Sequence, residues 1–79
     1  MDRFIIIGRD SCPFCVKAIE YCRAKDVEYI FLNYTEKPEM LEEYKVFHKQ
    51  KTVPIILANN MLSGYTKMVG GYSNLLEFL

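Results

Sequence analysis

Apolar and polar positions alternate along this chain in blocks whose period changes from one block to the next. Arg3-Phe4-Ile5-Ile6-Ile7 is a run of β-branched and aromatic residues ended by Gly8. An unbroken apolar run of this length predicts a strand buried on both faces, which favours parallel neighbours. Ser11-Cys12-Pro13 reads as a helix start, because proline is tolerated in the first turn, where its missing N–H leaves no bond unmade. From Phe14 to about Ala24 the residues suit a helix. At about 100° per residue, Cys15, Ala18, Ile19 and Cys22 share one face, while Lys17, Glu20 and Tyr21 point elsewhere. Asp26 breaks the pattern, and Val27 to Leu32 predicts a second strand, completing a βαβ unit.

Thr35 to Pro38 resembles a second helix start. Met40, Leu41, Tyr44 and Phe47 then form an apolar stripe at helical spacing, with Glu39, Glu42, Glu43 and Lys45 on the wet side. Acidic residues come early and Lys49 and Lys51 late, as the helix dipole favours. Val53 to Leu57, started by Pro54, predicts a third strand. Asn59-Asn60 and Gly64 are turn signals, and Tyr65 to Val69 predicts a fourth strand interrupted by Gly70-Gly71. Ser73 or Asn74 is placed to cap a short terminal helix running through Leu79. The resulting string is βαβαββα, an α/β domain spanning residues 1–79 with no repeats, linkers or low-complexity tracts.

Composition narrows the function classes. Hydrophobic residues make up 51% of the 79 positions, which excludes a disordered chain. Ten basic residues balance ten acidic ones, so no excess positive field draws nucleic acid or an anionic membrane surface. Phe4 to Ile7 is too short for a signal-peptide core or a membrane span, and a cytoplasmic protein is expected. The three cysteines, Cys12, Cys15 and Cys22, cluster in the first third of the chain. A secreted disulfide scaffold would spread an even set more widely. In a reducing compartment, a disulfide among these residues would be transient and functional.

The candidate chemistry lies in Cys12-Pro13-Phe14-Cys15. Two thiols three residues apart on a first helical turn can close a disulfide, and the first sits where unpaired N–H groups and the helix dipole favour a thiolate. The thiolate is the species that attacks a disulfide, so this position turns Cys12 into a nucleophile. Arg9, three residues upstream, adds positive charge nearby. A CxxC pair that follows a buried strand and opens the helix of a βαβ unit is a strong redox signal. A zinc site would need four ligands, and beyond this pair only Cys22 and His48 remain. Cys22 lies about 10.5 Å further along the helix axis, too far to share a metal or a disulfide. It reads as core packing, and His48 as a solvated or capping residue.

Cys12-Pro13-Phe14-Cys15, then Thr52-Val53-Pro54 opening a strand, then Gly70-Gly71 opening the last helix, together resemble a dithiol glutaredoxin over nearly the whole chain. The resemblance implies the minimal thioredoxin-like fold: a four-stranded mixed sheet flanked by helices, the first two strands parallel and the last two an antiparallel hairpin. It implies a cis peptide before Pro54. It also implies a glutathione-dependent thiol–disulfide oxidoreductase whose catalytic pair is Cys12 and Cys15. The implied glutathione contacts are Val53 through its backbone, Arg9 and Lys51 toward the glycyl carboxylate, and Gly71, Tyr72 and Ser73 toward the γ-glutamyl end, with Phe14, Thr52 and Pro54 alongside. Phe14 replaces the commoner tyrosine, and Ser73-Asn74 stands where many members carry an acidic residue. The segment from Ile55 to Val69 is longer than the usual hairpin, and the terminal helix is short.

Glutathione would act as co-substrate, with no tightly bound cofactor and no metal. Expected partners are glutathionylated or disulfide-containing proteins, with ribonucleotide reductase as a family-level expectation, and the protein is expected to be a monomer. Two other functions compete. One is a redoxin of the same fold reduced by a thioredoxin reductase, in which the glutathione contacts are idle; the lack of a tryptophan before Cys12 argues against an ordinary thioredoxin. The other is an iron–sulfur carrier in which Cys12 and glutathione hold a cluster between two subunits. Pro13 and the second thiol speak against it, since such carriers usually have a small residue after the first cysteine.

Overall fold

The apolar run near the N-terminus forms the hub of the sheet. In the computed structural model, which describes Asp2 to Leu79, β1 (Asp2–Gly8) has a neighbour on each side. β2 (Tyr29–Asn33) pairs with it in parallel, and β3 (Ile55–Asn60) pairs antiparallel along its other edge. β4 (Thr66–Gly70) adds to β3 as an antiparallel edge strand, giving the order β2-β1-β3-β4. The unbroken run therefore did signal burial on both faces, but only one of its two neighbours is parallel. The helices are α1 (Pro13–Ala24), α2 (Pro38–Phe47) and α3 (Tyr72–Phe78). This is the thioredoxin fold, with the mixed sheet and terminal hairpin that the resemblance implied.

The strand period of two sorts the core into two clusters. Phe4 and Ile6 of β1 and Ile56 and Ala58 of β3 pack with Ala18, Cys22 and Leu75 from α1 and α3. Ile7 and Ile55 pack with Cys12, Cys15, Val53 and the α2 residue Leu41. Cys22 is thus core, as its face predicted, and lies in a different cluster from the other two thiols. Tyr21 departs from expectation: it is half-buried against the first cluster, with Lys25 Nζ 5.6 Å from its ring centroid.

Several boundaries differ from those expected. β3 begins at Ile55 and not at Val53, because Val53 and Pro54 belong to the cis-proline loop, and β4 is shifted by one residue to Thr66–Gly70. β2 begins at Tyr29 because Asp26 and Val27 belong to the end of α1. Asp26 adopts φ 55°, its N–H donates to the Arg23 carbonyl at 3.1 Å, and the Val27 N–H reaches back to the Cys22 carbonyl at 3.1 Å. This is a Schellman stop, here built without glycine. α2 ends the same way: Lys49 has φ 54° and the Gln50 N–H donates to the Lys45 carbonyl at 2.9 Å. Asn59 and Asn60, expected to be a turn, instead extend β3, and the Asn60 side chain accepts from the Leu62 and Ser63 N–H groups at 3.0 Å each. Their turn chemistry is used, one step further along.

The apolar stripe of α2 is only partly covered. Leu41 is buried and Tyr44 half-buried, but Met40 is exposed and Phe47 is 79% exposed. The spacing identified the inward face, yet the sheet reaches only its centre. Neither Ser73 nor Asn74 is the N-cap of α3. Gly71 holds that place, and Asn74 acts from inside the first turn, its Oδ1 accepting from the Gly71 N–H at 2.9 Å. Among the described residues, no helix is long and apolar enough to cross a membrane.

Candidate active site

The loop from β1 to α1 delivers the two thiols. Cys12 is the N-cap of α1, with extended backbone (φ −88°, ψ 118°), and Pro13 is the first helical residue. The Cys15 N–H donates to the Cys12 carbonyl at 3.0 Å, tightening the first turn. All three cysteines are free thiols. Cys12 Sγ lies 3.9 Å from the Val53 carbonyl oxygen, and the Val53–Pro54 peptide is cis, as the resemblance implied.

The two thiols are electrostatically unlike. Burial opposes ionisation of Cys12, but the Cys15 N–H, the Cys15 thiol, the Phe14 N–H and the Arg9 charge outweigh it, holding the Cys12 thiol below its ordinary value. Cys15 is fully buried, and loss of solvent pushes its thiol up to about 12. Its hydrogen bond to Cys12 and repulsion from a Cys12 thiolate push the same way, against the opposing Arg9 N–H and Arg9 charge. Cys12 is thus the more readily ionised of the two sulfurs, and Cys15 is held as the thiol.

Beside Cys12 runs an open groove of about 400 Å³. It is lined by Phe14, by Gln50 and the segment Thr52 to Pro54, and by Gly71 to Asn74. Of the residues expected to contact glutathione, Phe14, Thr52, Val53, Pro54, Gly71, Tyr72 and Ser73 are brought together there. Phe14 and Tyr72 meet with ring centroids 5.9 Å apart, and Lys17 Nζ stands 5.3 Å from the Phe14 ring. Val53 is buried, and among the described residues its N–H meets no acceptor, leaving one backbone edge for an extended ligand.

Arg9 and Lys51 do not line this groove. Arg9 is exposed, and its charge acts on the two thiols. Lys51 lies on a separate depression with Glu42, Lys45, Val46, Lys49 and Gln50. The Schellman turn at Lys49 directs Gln50 toward the cis-proline and leaves Lys51 on the outside.

Sequence reasoning missed two braces. Gln50 Nε2 donates to the Thr52 carbonyl at 3.0 Å and to the Pro54 carbonyl at 2.7 Å, gripping both sides of the Val53–Pro54 peptide. An amide just upstream of Thr52-Val53-Pro54 was the only signal available. On the other side of the thiols, the Thr35 hydroxyl donates to Asp10 Oδ1 at 2.9 Å and Asn33 Nδ2 to Asp10 Oδ2 at 3.0 Å. The Asp10 N–H donates to Thr35 Oγ1 at 3.1 Å. These bonds tie the Cys12 loop to the end of β2, and the Asn33 and Thr35 donors lower the Asp10 carboxyl below its usual range.

Comparison with known proteins bears on this arrangement directly. The family model "Glutaredoxin" matches residues 4–62. The chain belongs to the glutaredoxin family. A curated relative, an uncharacterized glutaredoxin-like 8.6 kDa protein in the rubredoxin operon of Clostridium pasteurianum, is 30% identical over 63 residues, covering 78% of this chain and 84% of that protein. Among solved structures, a buckwheat glutaredoxin–glutathione complex superposes with a TM-score of 0.74 at 15% identity, over 96% of this chain and 66% of that one. The glutaredoxin-like NrdH-redoxin of Escherichia coli, described as having a thioredoxin-like activity profile, gives a TM-score of 0.65 at 15% identity, over 98% of this chain and 93% of that one. Likeness at these identities shows the thioredoxin fold. With family membership, it makes this a thiol–disulfide redox protein of glutaredoxin type.

Proposed function

We propose that this glutaredoxin is a glutathione-dependent thiol–disulfide oxidoreductase. The observation that carries the reading is the unequal thiol pair beside a peptide-sized groove. Cys12 thiolate attacks the glutathione sulfur of a mixed disulfide, the target leaves as a thiolate, and Cys12 is glutathionylated. A second glutathione thiolate attacks that sulfur, releasing oxidised glutathione and restoring the Cys12 thiolate. For a protein disulfide, Cys12 first forms a mixed disulfide with the target. Cys15 thiolate then attacks Cys12 Sγ, the target departs reduced, and two glutathiones later reduce the Cys12–Cys15 bond.

The same electrostatics time the second attack. Once Cys12 is in a mixed disulfide its charge is gone, so the repulsion and hydrogen bond that held Cys15 protonated vanish. What remains is burial, opposed by the Arg9 N–H and Arg9 charge, and Cys15 ionises more readily at that stage. Glutathione fits the groove as an extended tripeptide: the Val53 edge pairs with its cysteinyl backbone, and Gly71, Tyr72 and Ser73 face its γ-glutamyl end. Phe14 and Thr52 flank it. The glutathione-bound state of the buckwheat protein, which shares the fold, supports this placement. The protein acts as a cytoplasmic monomer without a resident cofactor, on glutathionylated or disulfide-bonded proteins; ribonucleotide reductase is one such target.

One observation favours a second reading, the same thiol pair reduced by a thioredoxin reductase: neither Arg9 nor Lys51 lines the groove, so it lacks the two cations expected for the glycyl carboxylate. Substitution separates the roles of the thiols under either electron donor. Cys12→Ser abolishes turnover of every substrate. Cys15→Ser keeps deglutathionylation of small mixed disulfides and loses reduction of protein disulfides. Equal loss from both with a glutathionylated substrate would overturn the assignment.

A further inference from the structure

The resolving thiol sits where only one residue type leaves room for it. Gly8 ends β1, and its carbonyl accepts from the Tyr34 N–H at 2.8 Å, so its backbone is anchored to the segment after β2. A Cβ on Gly8 would collide with Cys15 Sγ, lie 3.5 Å from Cys15 Cβ and lie 3.8 Å from Pro54 Cα. Gly8 has no left-handed φ, so backbone conformation does not demand glycine here; the space does. Nor can the sulfur swing freely aside, because Cys15 is fully buried among Ile7, Leu41, Val53 and Ile55. Gly8 thus makes a backbone notch whose missing side chain admits the sulfur.

We infer that Gly8 is a positioning residue for the second thiol, whose notch holds Cys15 Sγ in line with Cys12 Sγ so that the intramolecular disulfide can close. The inference rests on the two-thiol division proposed above and extends it to a residue that carries no reacting group. A methyl group at position 8 displaces Cys15 Sγ while leaving the Cys12 N-cap, Pro13 and the groove walls in place. The attack by Cys12 then proceeds as before, and the attack by Cys15 on Cys12 Sγ is lost to misalignment. Displacements approaching 1 Å cost on the order of 100-fold in such reactions.

Reaction with dithiobis(nitrobenzoate), in a Cys22→Ala background so that only this pair reports, separates the two events without using glutathione. Cys12 thiolate attacks the reagent and releases one thionitrobenzoate; Cys15 thiolate then attacks Cys12 Sγ and releases the second, leaving the protein disulfide. Gly8→Ala slows the second release by about tenfold or more and changes the first by less than about threefold. A thermal cycle gives an independent reading. Gly8→Ala lowers Tm by about 5 °C or more through overpacking. In a Cys15→Ala background, where the sulfur is gone, the same substitution costs little. If Gly8→Ala alone does not fold, a folded double variant with nearly the Tm of Cys15→Ala supports the notch equally well. A second release within threefold of the parent protein, or a Tm loss undiminished without the sulfur, would overturn the role of Gly8. A parent protein that shows no second release overturns instead the division of roles between the thiols, and the thermal cycle still decides whether the notch exists.

Discussion

Cys15 and Arg9 both favour the anion at the Cys12 sulfur, and each leaves its own mark on pH dependence. Arg9 is an exposed cation whose charge lowers both thiols, while its backbone N–H lowers Cys15 as well. Arg9→Ala therefore raises the Cys12 midpoint, and at neutral pH less of the sulfur is thiolate. The pH profile of iodoacetamide alkylation reads this directly: the midpoint moves up, and added salt moves the parent protein the same way because an exposed charge is screened. An unmoved midpoint would mean that the hydrogen bonds to Cys12 act alone.

Cys15 makes the opposite contribution to stability. Its thiol is pushed up to about 12 in the folded chain, above the unfolded value of about 8.5. A group raised on folding binds its proton more tightly in the native state. Its stabilisation is complete below the unfolded value and is lost as pH rises through the folded one. Cys15→Ala therefore flattens the fall in stability above about pH 8.5, where unfolding by denaturant is to be followed. An identical alkaline slope in both proteins would contradict the burial of that sulfur as a neutral thiol.

Among the elements, α3 and the two glycines before it show how adjacent identical residues do different work. Gly70 has φ 123°, and a Cβ there would lie 2.5 Å from Asn74 Oδ1, the atom that accepts from the Gly71 N–H. Gly71 has φ −95°, and its nearest neighbours to a Cβ, Pro54 O and Asn74 Oδ1, are both 3.9 Å away. Gly70→Ala thus costs about 1–3 kcal/mol through backbone strain and loss of the Asn74 bond. Gly71→Val has room for its Cβ and costs about 1 kcal/mol or less, through the poorer N-cap of α3. It instead narrows the groove and raises the apparent glutathione Michaelis constant. Chemical denaturation and steady-state kinetics on the two variants give this crossed pattern; a Gly71→Val protein with parental glutathione kinetics would remove that wall from the ligand site.

Legibility from sequence followed the reach of each interaction. Cys12 to Cys15, the X–Pro peptide and the Gly70-Gly71 pair are local tokens, and each stands where it was expected. The two Schellman stops were not, because Asp26 and Lys49 take positive φ without the glycine that usually announces it. The grip of Gln50 on the cis-proline and the Asp10, Asn33 and Thr35 brace were invisible too, since the brace joins segments more than twenty residues apart. The exposure of Phe47 depends on how far the sheet extends beneath α2, which helical spacing cannot report.

At the scale of the molecule, the core divides labour along α1. The middle of that helix buries Cys22 with β1, β3 and α3 as inert packing; its N-terminal end seats the reactive pair beside Ile7, Ile55 and Val53. The groove beside the pair is open and lacks the two expected cations, so the donor of electrons is the point on which the functional reading turns. A coupled assay decides it: turnover of a glutathionylated peptide with glutathione, glutathione reductase and NADPH, beside reduction of a protein disulfide with thioredoxin reductase and NADPH alone. The account predicts rapid turnover in the first, dependent on Cys12, and little in the second. Slow turnover with glutathione and rapid turnover with thioredoxin reductase would contradict it.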